Sequence, residues 1–398
     1  MVYNISCNMA RDVSVGIDIG TYQIKVMIAE RLSSSNTLLD ILGTGFSESR
    51  GLRYGYIVNK GDIVRGIKKA AGQAEEAAGI KIKKAFIGVG GVTLEGNIST
   101  GSTVITKVDM EITHLDVARV TENSEEALIK KISPNRKIIH TIPVEYKIDK
   151  KILYGRPIGM RGGKLEVKTL SITYMEQHLN DLIQAVEEAG IEVEDVIASP
   201  LAASLVALNR TQKIAGSVLA NIGAETVSLV VFENNLPVSL KVFPIGGTDI
   251  TNDIALRLKV PIEEAEQIKM GQLTGTHYSQ RELEETVLAR LSDIFELIED
   301  YLKKLGKSGL LPAGIILTGG SSEIKTIEEF AKKSLKLPSK IAEINFPNAA
   351  KNTIKDSSWA VAYGLCILGL SEEKESFGIK IAKQTGTNLL SWIKQFLP

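Results

Sequence analysis

Two stretches of the chain share an order of residues suited to holding a phosphate. In "VGIDIGTYQIKVMIAER" (15–31) an apolar run reaches Asp18, then Ile-Gly, a small polar turn and a second apolar alternation. In "LANIGAETVSLVVFENN" (219–235) Asn221 stands where Asp18 stood, and Ala224 and Glu225 follow Gly223. A strand–turn–strand that exposes backbone amides at a glycine turn makes an anion nest, and a nearby carboxylate can hold a magnesium ion through water. Asp18, Gly20, Thr21 and Tyr22 supply that pattern, with Lys25 placed to neutralise a phosphate. Asn221, Gly223, Ala224, Glu225 and Thr226 form the second copy. One such hairpin is as readily a plain structural turn, but two that face each other could clamp a triphosphate from both sides. A third piece, Thr318-Gly319-Gly320-Ser321, offers close backbone approach at an expected helix N-terminus, which suits a nucleoside or phosphate. Alone, Thr-Gly-Gly is also a common tight turn.

The elements that must position these residues are legible from periodicity. Residues 13–30 read as two alternating strands around the Asp18–Tyr22 turn, and 217–242 as the second hairpin. Asp62 is the expected N-cap of a helix over 61–80, with Ile63, Ile67, Ala70, Ala71 and Ala74 on its inner side and Gly79 closing it. Residues 82–173 read as a compact segment of their own, with strands near 84–90, 95–107, 137–148 and 164–174 and a helix from about Asp116 to Lys131. Helices are expected over 176–189 and 246–258, the latter starting at Thr248 or Asp249. A longer one, from about Arg281 to Leu305, has Leu283, Val287, Leu291, Ile294, Ile298 and Leu302 as its inner stripe. Trp359 to Leu370 is uncharged and apolar, but about half the length of a membrane span, so it reads as a buried helix.

Composition narrows the function classes. The 398 residues suffice for two domains or more, and the formal net charge is zero without a basic block, which gives no support to a nucleic-acid surface. Cys7 and Cys366 lie far apart, so neither a disulfide framework nor a zinc site is indicated. His114, His140, His178 and His277 are scattered and read as surface or structural residues. Residues 1–12 lack the apolar core of a secretory signal, so a cytosolic chain is expected.

Three phosphate-type turns in this order and spacing resemble the actin-like ATPase superfamily, and within it the FtsA family of bacterial division proteins. The residues that carry the closer resemblance are "SRGLRYGYIVN" (49–59) leading into "GQAEEAAG", "ASPLAAS" (198–204), "PIGGTDITNDIALRLKVPIEEAEQIKMGQ" (244–272), "ARLSDIFELIEDYL" (289–302) and "GIILTGGSSEI" (314–324). The resemblance implies an α/β, actin-like two-lobed fold with duplicated ribonuclease-H-like cores and an inserted FtsA-type 1C subdomain. Lobe 1A would comprise 13–81, 174–198 and about 360–375, and the 1C insertion 82–173. Lobe 2A would comprise 199–243 and 311–359, subdomain 2B 244–310, and a linker 376–387. By the same resemblance ATP and magnesium are the ligands, and Glu266 and Lys269 of "AEQIK" touch the ribose. The FtsZ tail would bind subdomain 2B at Arg290, although Leu288 replaces the glutamate usual in that family's pattern. Further implied partners are the chain itself as a homopolymer, other divisome proteins and membrane lipids.

The family pattern at the second hairpin is aspartate, Ile, three glycines and threonine, and this chain departs from it at Asn221, Ala224 and Glu225. Loss of the carboxylate removes an outer-shell partner for magnesium and a candidate for orienting the attacking water. Glu225, if it faced a phosphate at about 6 Å in an effective dielectric of about 20, would oppose binding by about 3 kcal/mol; it could instead point to solvent or share the metal. The expectation is a cleft that accepts ATP and closes on it but turns it over slowly or not at all. The C-terminal "NLLSWIKQFL" is the other strong signal. At about 100° per residue, Leu389, Leu390, Trp392, Ile393, Phe396 and Leu397 fall within an arc of about 160°. Flanked by Lys380, Lys383 and Lys394, this helix over 388–398 suits a bilayer interface. The expected function is an ATP-binding adaptor that polymerises on the inner membrane face and anchors the FtsZ ring. A PilM-type pilus adaptor of the same fold is the rival reading, and a sugar or acetate kinase-like enzyme a more distant one.

Overall fold

The computed structural model describes residues 12–31, 39–272, 278–344, 346 and 357–371. Two five-stranded sheets form its centre, and they have the same topology. In the first, a meander of Val13–Ile19, Gln23–Arg31 and Leu39–Glu48 is extended on the Val13 side by Lys84–Val89 and then Glu192–Ala198, both parallel. In the second, Ser217–Ile222, Val227–Glu233 and Leu236–Phe243 make the meander, and Ile315–Thr318 and Ser339–Ile341 extend it in parallel. The central strands are covered on both faces, so they read as nearly continuous apolar runs rather than alternations. The duplicated cores that the resemblance implies are therefore present as two copies of one sheet.

The sheets are joined at their base. Helix Ala360–Gly369 lies on the first sheet and against helix Ser199–Ala207, which also contacts the second sheet. The approach is close enough to need glycine: a Cβ on Gly16 would lie 2.4 Å from the Ala362 carbonyl, and one on Gly364 2.0 Å from that of Ala202. A single apolar core runs through this junction, from Val15, Ile17 and Leu365 to Leu219, Val230 and Phe232. The uncharged stretch from Trp359 is thus a buried helix.

Between the first sheet's strands lies an inserted layer. Its four strands, in the order Glu95–Val104, Lys164–Met175, Arg136–Ile148 and Lys151–Leu153, carry helix His114–Ile129 over a small separate core of Ile105, Val117, Val120, Leu165 and Val167. Strand Lys84–Val89, assigned from sequence to this insertion, belongs instead to the first sheet, where Gly16, Ile17 and Asp18 pair with Phe86, Ile87 and Gly88. The insertion therefore begins after Val89, not at 82. The reason is burial: residues 85–89 are all buried, as a central parallel strand requires.

Local signals account for the helix ends. Helix Lys60–Ala78 is capped by Asn59, whose Oδ1 accepts from the Asp62 amide at 3.3 Å, so Asp62 sits in the first turn rather than at the cap. Gly79 ends it with φ 66°, and the inner side is the expected Ile63, Ile67, Ala70, Ala71 and Ala74. Gln280–Lys304 buries the whole expected stripe and Phe295 besides. It packs against Gly247–Leu258, which in turn contacts Ile262–Lys269, in one apolar cluster with the second sheet. No helix among the described residues is long and apolar enough to cross a membrane.

Candidate functional site

A cleft of about 830 Å³ opens between the two hairpin turns. Asp18, Gly20, Thr21, Tyr22 and Lys25 line one side; Asn221, Gly223, Ala224 and Thr226 line the other; Gly319, Gly320, Ser321, Glu266 and Lys269 complete the wall. All the residues nominated from sequence for a nucleotide are thus brought together, with one exception, Glu225.

The two turns are built alike. The Gly20 amide donates to the Gln23 carbonyl at 3.1 Å, and the Gly223 amide to that of Thr226 at 2.9 Å. The second turn is further braced from behind. Its Gly223 and Ala224 carbonyls accept from the Gly247 and Thr248 amides, at 2.9 and 2.7 Å, at the start of helix Gly247–Leu258. Gly246 must lack a side chain for this, since a Cβ would lie 2.4 Å from the Ala224 oxygen. The third piece follows strand Ile315–Thr318. Gly319 has φ 90°, and its missing Cβ leaves room for Asn221 Oδ1, which would lie 2.4 Å from it. Gly320–Glu323 behind it is one 3-10 turn, not the α-helix expected there; α-helix starts only at Ile327.

Charge in the cleft is arranged by pairing. Asp18 lies opposite Lys25 in the first hairpin. Burial pushes its carboxyl up to about 6, against the pull of Lys25. Lys25 Nζ donates to the Ser358 carbonyl at 3.0 Å and to its hydroxyl, and sits 5.4 Å from the centre of the Trp359 ring. On the opposite wall Glu266 Oε2 accepts from Thr251 Oγ1 at 2.5 Å and from Lys269 Nζ at 2.7 Å. Lys269 also reaches the Gly247 carbonyl at 3.1 Å, and burial draws its pKa down while Glu266 raises it.

Glu225 corrects the expectation of repulsion. Its side chain is only 8 % exposed and turns across the cleft to the opposite lobe, where Oε1 pairs with Arg53 Nε at 3.0 Å and Oε2 accepts from the Tyr54 amide at 2.5 Å. It points neither to the cleft lining nor to solvent, and the carboxylate is neutralised by Arg53. Arg53, Tyr54, Thr251 and Ser358 are site residues that motif reasoning missed. The one sequence signal for the first two was the Tyr54-Gly55 turn inside "SRGLRYGYIVN".

The donor set fits a nucleotide: two amide-bearing turns, a glycine step and a volume within the usual range for small-molecule clefts. It fits magnesium in a limited way, since Asp18 is the only carboxylate of the two turns that lines the cleft, and its counterpart Asn221 is neutral. Asp18 carries a testable cost. Its folded-state pKa of about 6 exceeds the ordinary carboxyl value of 3.8, so the folded chain holds the proton more tightly and loses stability as pH rises through that window. In nucleotide-free urea unfolding, Asp18→Asn should be more stable than the native chain, by a margin that widens by about 1 kcal/mol between pH 5 and pH 8 after allowance for partial exposure. A margin independent of pH would contradict this.

Other nominated residues lie elsewhere. Arg290, on helix Gln280–Lys304, is not in the cleft, and its fork is already engaged. Nε and Nη2 bind Asp253 at 2.7 and 3.1 Å, and Nη1 binds Asp293 at 3.2 Å. His140 is structural as expected, its Nε2 accepting from the Ala198 amide at 3.0 Å, with burial holding its pKa down to about 4. Leu389, Leu390, Trp392, Ile393, Phe396 and Leu397, with the linker before them, lie outside the described residues.

Comparison with known proteins agrees with this architecture. Residues 218–364 match the profile of cell division protein FtsA, and 91–173 that of the SHS2 domain inserted in FtsA, which begins where strand Lys84–Val89 has just ended. The chain is 31 % identical to cell division protein FtsA of Bacillus subtilis, over 88 % of this chain and 82 % of that one. It is 28 % identical to that of Pseudomonas aeruginosa over 92 % of both. Among solved structures, a PilM–PilN type IV pilus biogenesis complex superposes with a TM-score of 0.68 at 15 % identity, covering 90 % of this chain and 98 % of that one, a likeness of fold alone. With duplicated sheets, facing hairpin turns and the SHS2 insertion in place, the fold is actin-like, and the chain belongs to the FtsA family of cell division proteins.

Proposed function

We propose that this chain is an ATP-binding cell division adaptor that polymerises on the cytoplasmic face of the membrane and anchors FtsZ there. The observation that carries the nucleotide part is the pair of equivalent turns, Gly20–Gln23 and Gly223–Thr226, facing one another across the cleft, with Gly319–Gly320 in the wall beside the second. Turns of this kind grip phosphates through backbone amides, which no side-chain substitution removes. Asp18 would hold magnesium through water, the metal offsetting phosphate charge, while Asn221 leaves the equivalent position of the second hairpin without an acid. An adaptor with at most weak ATPase activity follows from that asymmetry. A substrate-binding kinase is disfavoured, because among the described residues of the insertion only Gly90 and Gly91, directly after strand Lys84–Val89, line the cleft.

Other divisome proteins and membrane lipids are the remaining proposed contacts, the lipids through residues 388–398. The pilus-adaptor reading rests on fold likeness alone, whereas the sequence relationship is to FtsA.

Arg290 is the proposed contact for the acidic tail of FtsZ, and its internal pairing sharpens the test. A tail carboxylate must compete with Asp253 for the same guanidinium fork. Freeing the fork by Asp253→Asn should therefore tighten binding of a tail peptide several-fold, whereas Arg290→Glu should abolish it. Fluorescence anisotropy of the labelled peptide reads both. Equal binding by the native chain and Arg290→Glu would place the tail on another surface.

A further inference from the structure

The hairpin that Glu225 reaches has features that its own lobe does not require. Leu52–Arg53 pairs with Tyr56–Ile57, leaving Tyr54 and Gly55 as a two-residue turn with φ of 50° and 91°. Both central residues of such a turn need positive φ, which glycine adopts freely and tyrosine only at a cost. The strained residue is the one whose amide meets Glu225. The tip is also anchored from the other side: the Tyr54 carbonyl accepts from the Val92 amide at 3.0 Å. Gly55 and Gly91 pack so closely that a Cβ on either would lie 2.6 Å from the other's Cα.

Glu225 is equally constrained. It projects from the turn whose Gly223 and Ala224 carbonyls are tied to the start of helix Gly247–Leu258. Two rigid pieces, one from each lobe, thus meet through one buried carboxylate. Gly223, Ala224 and Thr226 beside it, and Leu52 and Gly55 beside its partners, all line the cleft.

We propose that Glu225, with Arg53 and the Tyr54 amide, is a latch that holds the two lobes together across the nucleotide cleft and slows nucleotide exit. Glu225 is a positioning residue here, since it acts through the turn and the hairpin rather than on phosphate. The latch closes the cleft without requiring a γ-phosphate or magnesium to draw the lobes together, which suits a chain whose second turn lacks its acid. It rests on the nucleotide reading only for the exit rate; the lobe contact stands independently.

The test uses the full chain with donor and acceptor dyes on cysteines at Lys69→Cys and Glu264→Cys, exposed sites on opposite lobes, in a Cys7→Ser background. Without nucleotide, the native interlobe distance should already match that of the ATP-bound chain. Glu225→Ala and Arg53→Ala should lengthen it, and should release a fluorescent ATP analogue about tenfold faster, the scale of one lost charge-assisted bond. Arg53→Lys, which keeps the charge, should restore most of both, a rescue that a merely structural residue would not show. Arg53 is 62 % exposed on its side chain, so its variants test the latch without disturbing a core. Native distances in both alanine variants would overturn the proposal. If the analogue fails to bind the native chain, the nucleotide reading falls, while the distance series still decides the latch.

Discussion

Asn221→Asp should raise ATP turnover about a hundredfold over a native rate near background, the lower end of what one correctly placed acid or base contributes. Asn221 is the penultimate residue of the second meander's first strand, paired with Thr318 of the third piece, and it lines the cleft opposite Asp18. Its amide has nearly the shape of a carboxylate but carries no charge for magnesium's water shell and cannot take a proton from an attacking water. The substitution is therefore a change of charge with little change of volume. Glu225 should be left in place, because Glu225→Gly would cut the bonds to Arg53 and Tyr54 and confound chemistry with lobe opening. Phosphate release from the purified chain is the measurement. Brisk release by the native protein, or no gain with Asn221→Asp, would remove the account of this site.

Cutting the chain after Thr387 should leave the fold and the cleft intact and reduce sedimentation with anionic vesicles tenfold or more, roughly the loss of the whole apolar face. Each large apolar side chain buried at the interface contributes on the order of 1–3 kcal/mol, offset by ordering a short helix that has little stability in water. One copy would then attach weakly, helped by nearby lysines on an anionic leaflet. Filaments convert weak attachment into firm attachment because neighbouring helices land together. Trp392→Glu should behave nearly as the truncation does, since it replaces the largest apolar side chain of the arc with a charge. Undiminished vesicle binding by the truncated chain would make the tail a packing element.

Much of this architecture was legible because local pattern and tertiary role coincide. Helix Gln280–Lys304 shows its inner stripe at a 3.6 period, and every residue of that stripe is buried. Both hairpins were readable since strand, Ile-Gly turn and strand are contiguous. What escaped is what depends on distant partners. Strand Lys84–Val89 looks like the start of the insertion by position, and only its parallel pairing with Val13–Ile19 places it in the first sheet. The direction of Glu225 is set by an amide 171 residues away. The engagement of Arg290 is set by Asp253 on a neighbouring helix, 37 residues earlier. Chemistry at Asp18 and Asn221 could be named from type and spacing alone; the pairing that silences or redirects a charge could not.

The central claim, that one chain links a membrane to an FtsZ tail, is tested most directly by flotation. The full chain, anionic vesicles, ATP and a labelled FtsZ tail peptide are mixed and spun through a density gradient, beside the chain cut after Thr387. The account predicts peptide at the top of the gradient with the full chain and at the bottom with the truncated one. Peptide left at the bottom while the full chain floats would contradict it.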